Sequence, residues 1–347
     1  MKTATGSRIT SLDRAIHIDR ELVATRMRFV RRGLACLLAI GCGHSPGVPA
    51  DGARADAAPD ASRLAPPAAG PYPIVLAHGL FGFTSIGPLD YFYGVAPVLE
   101  AQGRTVVATA VDPVQSSDVR GAQLVAAIEQ IRASTGAAKV VIIGHSQGGL
   151  DARWAAAHDP DAVAAVITIA TPHRGSPVAD VATGLVPGDS AAALDALADL
   201  FGFSGTSFEG ALQDLTSAGA SAFNAATPDA PGVRYWSVAG RSNLATAADC
   251  PPSSTITSPW DRTVDPMKAV LAPVSAILSL AVSPDTPVQD GLVTLDSAQW
   301  GTFLGCVPAD HFDEVCQIAG ESPGIGNDFA CLGLYQNLGT LLTANGF

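Results

Sequence analysis

Charged and aromatic residues are scarce in this sequence. Asp, Glu, Lys and Arg make up 15% of the 347 residues and the three aromatic types 6%, whereas hydrophobic residues reach 48%. Residues 1–69 contain ten basic residues (Lys and Arg) and six acidic residues (Asp and Glu). The rest of the chain contains ten basic and 26 acidic residues. So acidic a body argues against nucleic acid as a partner. The apolar content suffices for one large domain or two modest ones.

The six cysteines lack the C-x-x-C spacing that is typical of a zinc site. Four of them, Cys250, Cys306, Cys316 and Cys331, lie in the last hundred residues. An even number of cysteines in an exported chain indicates two disulfides, for which three pairings exist. We expect Cys250–Cys306 and Cys316–Cys331; the alternative is four buried free thiols.

The N-terminal region lacks an apolar run long enough to span a membrane as a stable helix. Residues 27–42 instead place three arginines before the short apolar run 34–40, which ends at Gly41-Cys42. This pattern is typical of a bacterial export signal. The small residue before Cys42 resembles a lipoprotein processing site, whose lipid would tether the protein to a membrane; the alternative is an ordinary signal cleaved a few residues later. In both cases we expect an exported protein, secreted or anchored at the outer membrane.

Composition predicts three further segments. We expect residues 1–26 to be an upstream extension, because an export signal rarely begins 26 residues into a chain. Residues 43–70 are rich in Ala, Pro, Asp and Gly and have almost no large apolar residues, so we expect a disordered tether that cannot form a core. The folded domain is expected to span residues 71–347.

Strand and helix patterns alternate in the body. Apolar runs predict strands at 72–79, 104–112, 139–145, 163–172 and 233–240, and helical spacing predicts helices near 93–102, 118–135 and 150–158. This alternation indicates an α/β fold with a mainly parallel sheet flanked by helices. Short helical runs at 190–201 and 208–223 predict a helical insert near 189–225, which is either plain packing or a mobile lid over an apolar pocket.

One serine lies in a setting that predicts a nucleophile. Residues 139–154, KVVIIGHSQGGLDARW, place Ser146 in a G-x-S-x-G motif between a predicted strand and a predicted helix. The flanking glycines allow a tight turn, which presents the hydroxyl at a helix N-terminus where N–H groups stabilise negative charge. Ser146 is therefore the expected nucleophile.

A serine hydroxyl needs a base, and the order of residues along the chain selects one. In α/β-hydrolases the acid and then the histidine follow the serine. Elimination leaves His311, because the other histidines either precede Ser146 or follow it too closely to leave room for an acid strand. Asp290 is our choice for the acid that would orient the imidazole. The alternatives are Asp285, Asp296 and Asp310.

An oxyanion hole would require two backbone N–H donors. One is expected from Gln147, which follows the nucleophile. The other is expected from Leu80, in the loop AHGLFGF (77–83) after the first strand.

Several motifs together resemble a known family. HGLFGFTSIGPLDYFYG (78–94), GHSQGG (144–149), TPHRGSPVAD (171–180), FNAATPD (223–229), QDGLV (289–293) and HFDEVCQ (311–317) occur in this order. Over residues 72–320 they resemble the secreted bacterial triacylglycerol lipases of the Pseudomonas and Burkholderia type, in the α/β-hydrolase superfamily. The resemblance implies Ser146, Asp290 and His311 as the triad, a lid at the helical insert and, in many relatives, a lipase-specific foldase as partner.

The resemblance also implies one structural Ca²⁺ that steadies the loop carrying the histidine. Asp265 and Asp313 match its carboxylate ligands, and backbone carbonyls of Gln317 and of a residue near Glu321 would complete the oxygen shell that calcium prefers. Two departures stand out. Asp310 replaces the usual asparagine before the histidine and would place an extra carboxylate beside His311. Cys316 lies inside the proposed calcium loop.

The sequence therefore favours one function and leaves two alternatives. The first is triacylglycerol hydrolysis through a Ser-His-Asp triad and an acyl-enzyme, on a lipid or ester substrate. The second is a carboxylesterase that prefers short, soluble esters. The third, from another class, is a non-catalytic lipid-binding lipoprotein that has kept the fold.

Overall fold

The computed structural model describes residues 71–86, 89–201, 208–242, 254–260, 265–281, 288–317, 327 and 329–347. All of these residues belong to one compact unit, Leu64–Phe347. None of the helices in this described part is both long and apolar enough to cross a membrane. The export signal with Cys42, the tether, Cys250, Asp285 and Glu321 lie outside the described residues, so those assignments stay predictions.

Six strands form the central sheet, in the order β4-β1-β5-β6-β7-β8, and every neighbouring pair is parallel. A separate two-stranded antiparallel hairpin, β2–β3, follows β1. The strands are β1 (Ile74–Ala77), β2 (Ser85–Ile86), β3 (Leu89–Asp90), β4 (Val106–Thr109), β5 (Val140–His145), β6 (Val163–Ile169), β7 (Arg234–Gly240) and β8 (Thr302–Val307).

Helices connect and cover these strands. In chain order they are α1 (Val95–Glu100), α2 (Ser117–Thr135), α3 (Gln147–His158), α4 (Pro177–Ala182), α5 (Ser190–Phe201), α6 (Glu209–Asp214), α7 (Ser217–Ala226), α8 (Ala272–Ala281), α9 (Leu295–Ala298) and α10 (Cys331–Ala344). Single 3₁₀ turns lie at Ser258–Trp260, Ala269–Leu271 and Asp313–Val315.

The predicted fold class is confirmed, and the structure corrects it in detail. The helical run expected at 208–223 is two helices, because Thr216 begins a new helix by accepting a hydrogen bond from Gly219 N at 2.9 Å. Strand β8 and helix α10 were not predicted. Gly305, with φ 114°, lies where β8 carries an extra residue opposite β7, and such a bulge breaks the strand pattern in the sequence.

Burial on both faces explains why the predicted strands are almost continuously apolar. Every residue of β1, β5 and β6 is buried, as expected of a parallel sheet covered by helices on both sides. On one face, α2 contributes Leu124, Ile128 and Ile131 at helical spacing. Because the strands are parallel, the loops that follow β1, β5 and β8 emerge at one edge of the sheet, where ligand sites of such folds lie.

Candidate active site

Ser146 occupies a strained turn between β5 and α3. Its φ of 55° and ψ of −129° are unusual for a residue with a side chain, and its backbone N–H donates to Ile169 O at 2.9 Å. A serine at the start of a helix commonly caps that helix with its hydroxyl. Ser146 makes no such bond, so its hydroxyl does not cap the helix that it begins.

Glycines let the backbone close in around this turn. A Cβ added to Gly148 would collide with the backbone oxygens of Ala77 and His78 at the end of β1, and one added to Gly149 would collide with the Thr171 side chain. The first turn of α3 therefore packs directly against the neighbouring strands. The motif is required sterically as well as chemically.

His311 and Asp290 form a buried pair. His311 Nδ1 lies 2.7 Å from Asp290 Oδ2, and His311 N donates to Asp290 O at 2.9 Å. The second carboxylate oxygen, Oδ1, accepts the N–H groups of Leu292 and Val293 at 2.8 and 2.7 Å. Asp290 is thereby fixed with one oxygen on its own turn and the other on the imidazole.

The two alternative acids that lie within the described residues, Asp296 and Asp310, do not take this place. Asp296 is exposed. The carboxylate of Asp310, the residue expected to act on His311, instead accepts the backbone N–H groups of Lys268, Phe312 and Asp313 at 3.0–3.1 Å. Asp290 lies in the turn 289–294, about 50 residues beyond the end of β7.

The pair lies beside the serine turn. The ring of His311 packs against that of His145, with 4.5 Å between their centroids, and His145 directly precedes Ser146. His311 follows β8 by four residues and Ser146 follows β5 by one. The structure thus brings the predicted acid and base together at the edge of the sheet that carries the predicted nucleophile.

The predicted oxyanion loop touches the serine turn. A Cβ on Gly79 would lie 2.7 Å from Ser146 Cβ, so the backbone before Leu80 passes directly over the serine. Phe81, just beyond, has a φ of 55°. Leu80 and Gln147 are both buried, and the Gln147 side chain donates to Gln115 O at 3.0 Å.

Arg120 fixes the backbone of this loop from beneath. Its guanidinium donates to His78 O at 2.6 Å, to Asp112 O at 2.8 Å and to the Asp151 carboxylate at 2.8 Å. Arg120 and Asp151 are both fully buried. Burial raises the pKa of Asp151 to about 6, although the Arg120 charge favours the ionised form. The arginine therefore joins α2, α3 and the loop after β1 in one polar network.

Sequence reasoning missed a second buried network. The Tyr91 hydroxyl accepts the Gly79 N–H at 3.1 Å and lies 2.7 Å from His145 Nδ1. On the other side of the same ring, His145 Nε2 lies 3.4 Å from the Glu314 carboxylate. Burial lowers the pKa of His145 and raises the pKa of Glu314, so both groups favour their neutral forms. These contacts connect residues far apart in sequence, which no local pattern reveals.

Three carboxylates meet beside the histidine loop, residues 310–317. Asp265, Asp310 and Asp313 are buried, and one oxygen from each lies within 4.8 Å of the others. Within the described residues, Asp265 Oδ2 and Asp313 Oδ2 lack a hydrogen-bond partner, and Asp313 Oδ1 pairs with the Lys268 ammonium group. Burial, followed by neighbouring carboxylates, raises the pKa of Asp313 to about 7. Buried oxygens of this kind fit a hard divalent cation.

The cluster matches the predicted calcium ligands in part. Asp265 and Asp313 are brought together as expected, and Asp310, which was not predicted as a ligand, joins them. Gln317 is half-buried, and its N–H donates to Phe312 O at 3.1 Å, closing the loop. Lys268 Nζ also enters the cluster and pairs with Asp313.

A disulfide ends the histidine loop. Cys316 and Cys331 are bonded, as expected, with their Cα atoms 5.6 Å apart. The bond joins the loop to the first residue of α10. Cys306 is also disulfide-bonded, while its expected partner Cys250 lies outside the described residues.

Comparison with known proteins supports this architecture. A family described as the alpha/beta hydrolase fold matches residues 72–248, about half of the chain. The chain belongs to the α/β-hydrolase fold family. The resemblance inferred from the motifs is thus confirmed at the level of the family.

Relatives named triacylglycerol lipase align with this α/β-hydrolase. One from Burkholderia plantarii is 32% identical over 337 residues, which cover 85% of this chain and 92% of the relative. One from Vibrio cholerae is 47% identical over 119 residues, which cover 34% of this chain and 38% of the relative. The higher identity is therefore confined to a segment, while the lower one extends over most of both chains.

Solved structures show the same fold. A mature lipase from Bacillus licheniformis superposes with a TM-score of 0.53 at 25% identity, covering 72% of this chain and 88% of that one. A metagenomic carboxyl esterase gives a TM-score of 0.56 at 21% identity, covering 79% and 76%. At that identity the esterase is evidence for the fold alone.

Proposed function

We propose that this protein hydrolyses carboxylic esters, with triacylglycerols as the preferred substrates. The His311–Asp290 pair beside the Ser146 turn is the observation that carries the proposal. The names of the aligned relatives support the ester class and the lipid substrate.

In the proposed mechanism, the Ser146 hydroxyl attacks the ester carbonyl while His311 accepts its proton. Asp290 holds the imidazole in the required tautomer and stabilises the imidazolium that forms. The backbone N–H groups of Leu80 and Gln147 stabilise the oxyanion. His311 then donates its proton to the leaving alcohol, and water activated by the same imidazole releases the fatty acid from the acyl-enzyme.

Substitution of the nucleophile tests the mechanism. Ser146→Ala should lower hydrolysis of p-nitrophenyl esters by about ten-thousand-fold or more and abolish labelling by a fluorophosphonate, while the melting temperature stays near that of the wild type. Retained activity in a folded variant would refute the proposed nucleophile. A wild-type protein that neither reacts with the probe nor hydrolyses esters would support the non-catalytic lipid-binding alternative.

The names of the aligned relatives favour a lipid substrate over short, soluble esters. Hydrolysis should therefore rise when triglyceride is emulsified. A preference for soluble butyrate esters, with no gain on emulsion, would identify a short-chain carboxylesterase and argue against a lid at residues 189–225.

We further propose that calcium binds at the cluster beside the histidine loop. Asp265 and Asp313 would hold it, with Asp310 adjacent and carbonyls of Gln317 and of a residue near Glu321 as the remaining ligands. The ion would neutralise buried carboxylates and steady the loop that carries His311. EDTA should lower the melting temperature of the wild type, and Asp313→Ala should remove that sensitivity; an equal EDTA response in both would contradict the site.

Export is supported by the Cys316–Cys331 disulfide, since such bonds persist in oxidising compartments. A lipid on Cys42 and a dedicated foldase remain predictions. Metabolic labelling with palmitate, compared between the wild type and Cys42→Ser, would test the first. Refolding with and without candidate foldases would test the second.

A further inference from the structure

A lysine side chain reaches into the cluster at which we propose that calcium binds. Lys268 Nζ forms ion pairs with Asp313 Oδ1 and with Asp310 Oδ1, the latter at 3.6 Å. The lysine side chain is 25% exposed, whereas the two carboxylates are buried. The ammonium group therefore extends from the surface into a site lined by acidic oxygens.

The backbone of Lys268 is fixed independently of its ammonium group. Lys268 N donates to Asp310 Oδ2 at 3.0 Å, and Lys268 O accepts the Leu271 N–H at 2.9 Å at the start of a 3₁₀ turn. Four methylene groups separate this anchored backbone from Nζ. The charge can thus leave the cluster while the main chain around Asp310 and the histidine loop stays in place.

The net charge of the cluster favours the binding of one divalent ion. Three ionised carboxylates and one ammonium carry a net charge of −2, so the lysine alone does not neutralise the cluster. Asp265 Oδ2 has no hydrogen-bond partner within the described part of the chain. The Asp313 carboxylate, by contrast, is contacted by the lysine and is also a proposed calcium ligand. The Asp313 carboxylate would therefore have to bind both the ammonium group and the calcium ion. Two cations that share one carboxylate repel each other.

We propose that Lys268 is a tethered competitor of calcium: its ammonium group holds the Asp313 carboxylate, and with it the histidine loop, when calcium is absent, and withdraws when the ion binds. This inference rests on the proposed calcium site. It makes the histidine loop less dependent on the ion than the carboxylates alone would make it, and it weakens calcium binding in return.

Lys268→Met separates these two effects. In the full-length, EDTA-treated variant, calcium should bind on the order of tenfold more tightly by isothermal titration than in the wild type, because a neighbouring positive charge is gone. The melting temperature in EDTA should fall below that of the wild type, while the calcium-saturated melting temperature should not fall. Neither readout depends on ester hydrolysis.

Two control variants define the cause. Lys139→Met removes the same charge elsewhere, since Lys139 Nζ donates to carbonyls of Pro160 and Val163, and it should leave calcium affinity unchanged. Lys268→Arg keeps a tethered cation and should retain weaker binding than Lys268→Met.

The outcomes distinguish the two proposals. If the wild type binds calcium and Lys268→Met binds it no more tightly, or no more tightly than Lys139→Met, the competitor proposal is overturned and the calcium site stands. If neither the wild type nor Lys268→Met binds calcium, the calcium site itself is refuted and the competitor proposal falls with it. Ester hydrolysis by Ser146 is independent of both results.

Discussion

The serine side and the histidine side of the candidate site are held by different forces. On the serine side, Ser146 and the loop after β1 are fixed by backbone packed against backbone at Gly148 and by a turn with positive φ. On the histidine side, His311 belongs to a loop fixed by the carboxylates of Asp290 and Asp310 and by a disulfide at Cys316. The first support is mainly steric, so salt and redox state should change it little. The second depends on charged groups and on a disulfide, and it would also respond to the calcium ion that we propose.

Among the substitutions that compare the two sides, the largest effect is expected from Asp290→Asn, which should lower kcat about ten-thousand-fold. The substituted side chain can keep the acceptor bonds from Leu292 and Val293 through its amide oxygen, and this turns its NH₂ group toward His311 Nδ1. Because an NH₂ group cannot accept the Nδ1 proton, the imidazole is left in the wrong tautomer. Steady-state hydrolysis of a p-nitrophenyl ester measures the loss.

The exposed Asp296 provides the matched control for that substitution. Asp296→Asn should leave kcat unchanged. A loss of less than about tenfold in Asp290→Asn would show that the histidine side does not depend on this carboxylate.

Gly148→Ala should break the steric support of the serine side. The new Cβ meets the backbone oxygens of Ala77 and His78, which cannot move without disturbing β1, so we expect a loss of about 3 kcal/mol or more in the free energy of unfolding. Gly210→Ala in α6 is the control, because its Cβ would meet only Ser116 N, at an ordinary contact distance of 4.0 Å. Urea titration at low and high salt should give the same loss; a tolerated Gly148→Ala would remove the steric argument.

Replacing both Cys316 and Cys331 by serine should lower the free energy of unfolding by about 3 kcal/mol, since the bond closes a loop across a sequence separation of 15. Urea denaturation of the double variant measures the change. Hydrogen exchange should rise in residues 311–317 and stay unchanged at the start of α3. Equal increases on both sides would contradict the division of the site into two supports.

The smallest effect is expected on the free energy of unfolding when the pH is lowered. Burial and the Arg120 charge lower the pKa of His78 to about 4, against 6.5 for a free imidazole, so the folded serine side excludes a proton that the unfolded chain binds. The stability that this contributes is complete above pH 6.5 and is lost as the pH falls toward 4. Between about pH 7 and about pH 5.5 the loss should be about 1 kcal/mol.

His78→Gln should flatten this pH profile, because glutamine binds no proton. Urea titrations at several pH values would show it, and parallel profiles for the two proteins would count against a buried neutral His78. The pH dependence of stability that Asp313 contributes on the histidine side has the opposite sign to that of His78. Its raised pKa of about 7 means that, without a bound cation, stability is complete below about pH 4 and is lost as the pH rises through about 7.

Much of the serine side could be predicted because its signals are local. The continuous apolar strand 140–143, the glycines and Ser146 are adjacent in sequence, and their spacing alone determines a strand, a turn and a helix. His311 followed from elimination and Asp290 from a turn motif. Asp265 and Asp313 could be named only through the family resemblance, since nothing local marks a buried carboxylate.

The remaining residues of the site could not be predicted, since their roles come from contacts that are distant in sequence. Tyr91 reaches His145 across 54 residues, and Lys268 reaches Asp313 from a different loop. Strand β8 was missed because its bulge at Gly305 interrupts the alternation that marks strands. The sequence motifs thus identify reacting groups more readily than the groups that hold them.

The Cys316–Cys331 disulfide makes the two sides of the candidate site form at different times during synthesis. The strands β1, β5 and β6 and the helix α3, which surround Ser146, are all encoded before residue 172, so that half can assemble early on an emerging chain. The loop bearing His311 obtains its covalent anchor only after Cys331 has been translated and has met an oxidant. A nascent or still-reduced polypeptide therefore carries its serine turn before the loop of His311, the proposed base, is anchored, so we expect full activity only after this disulfide has formed.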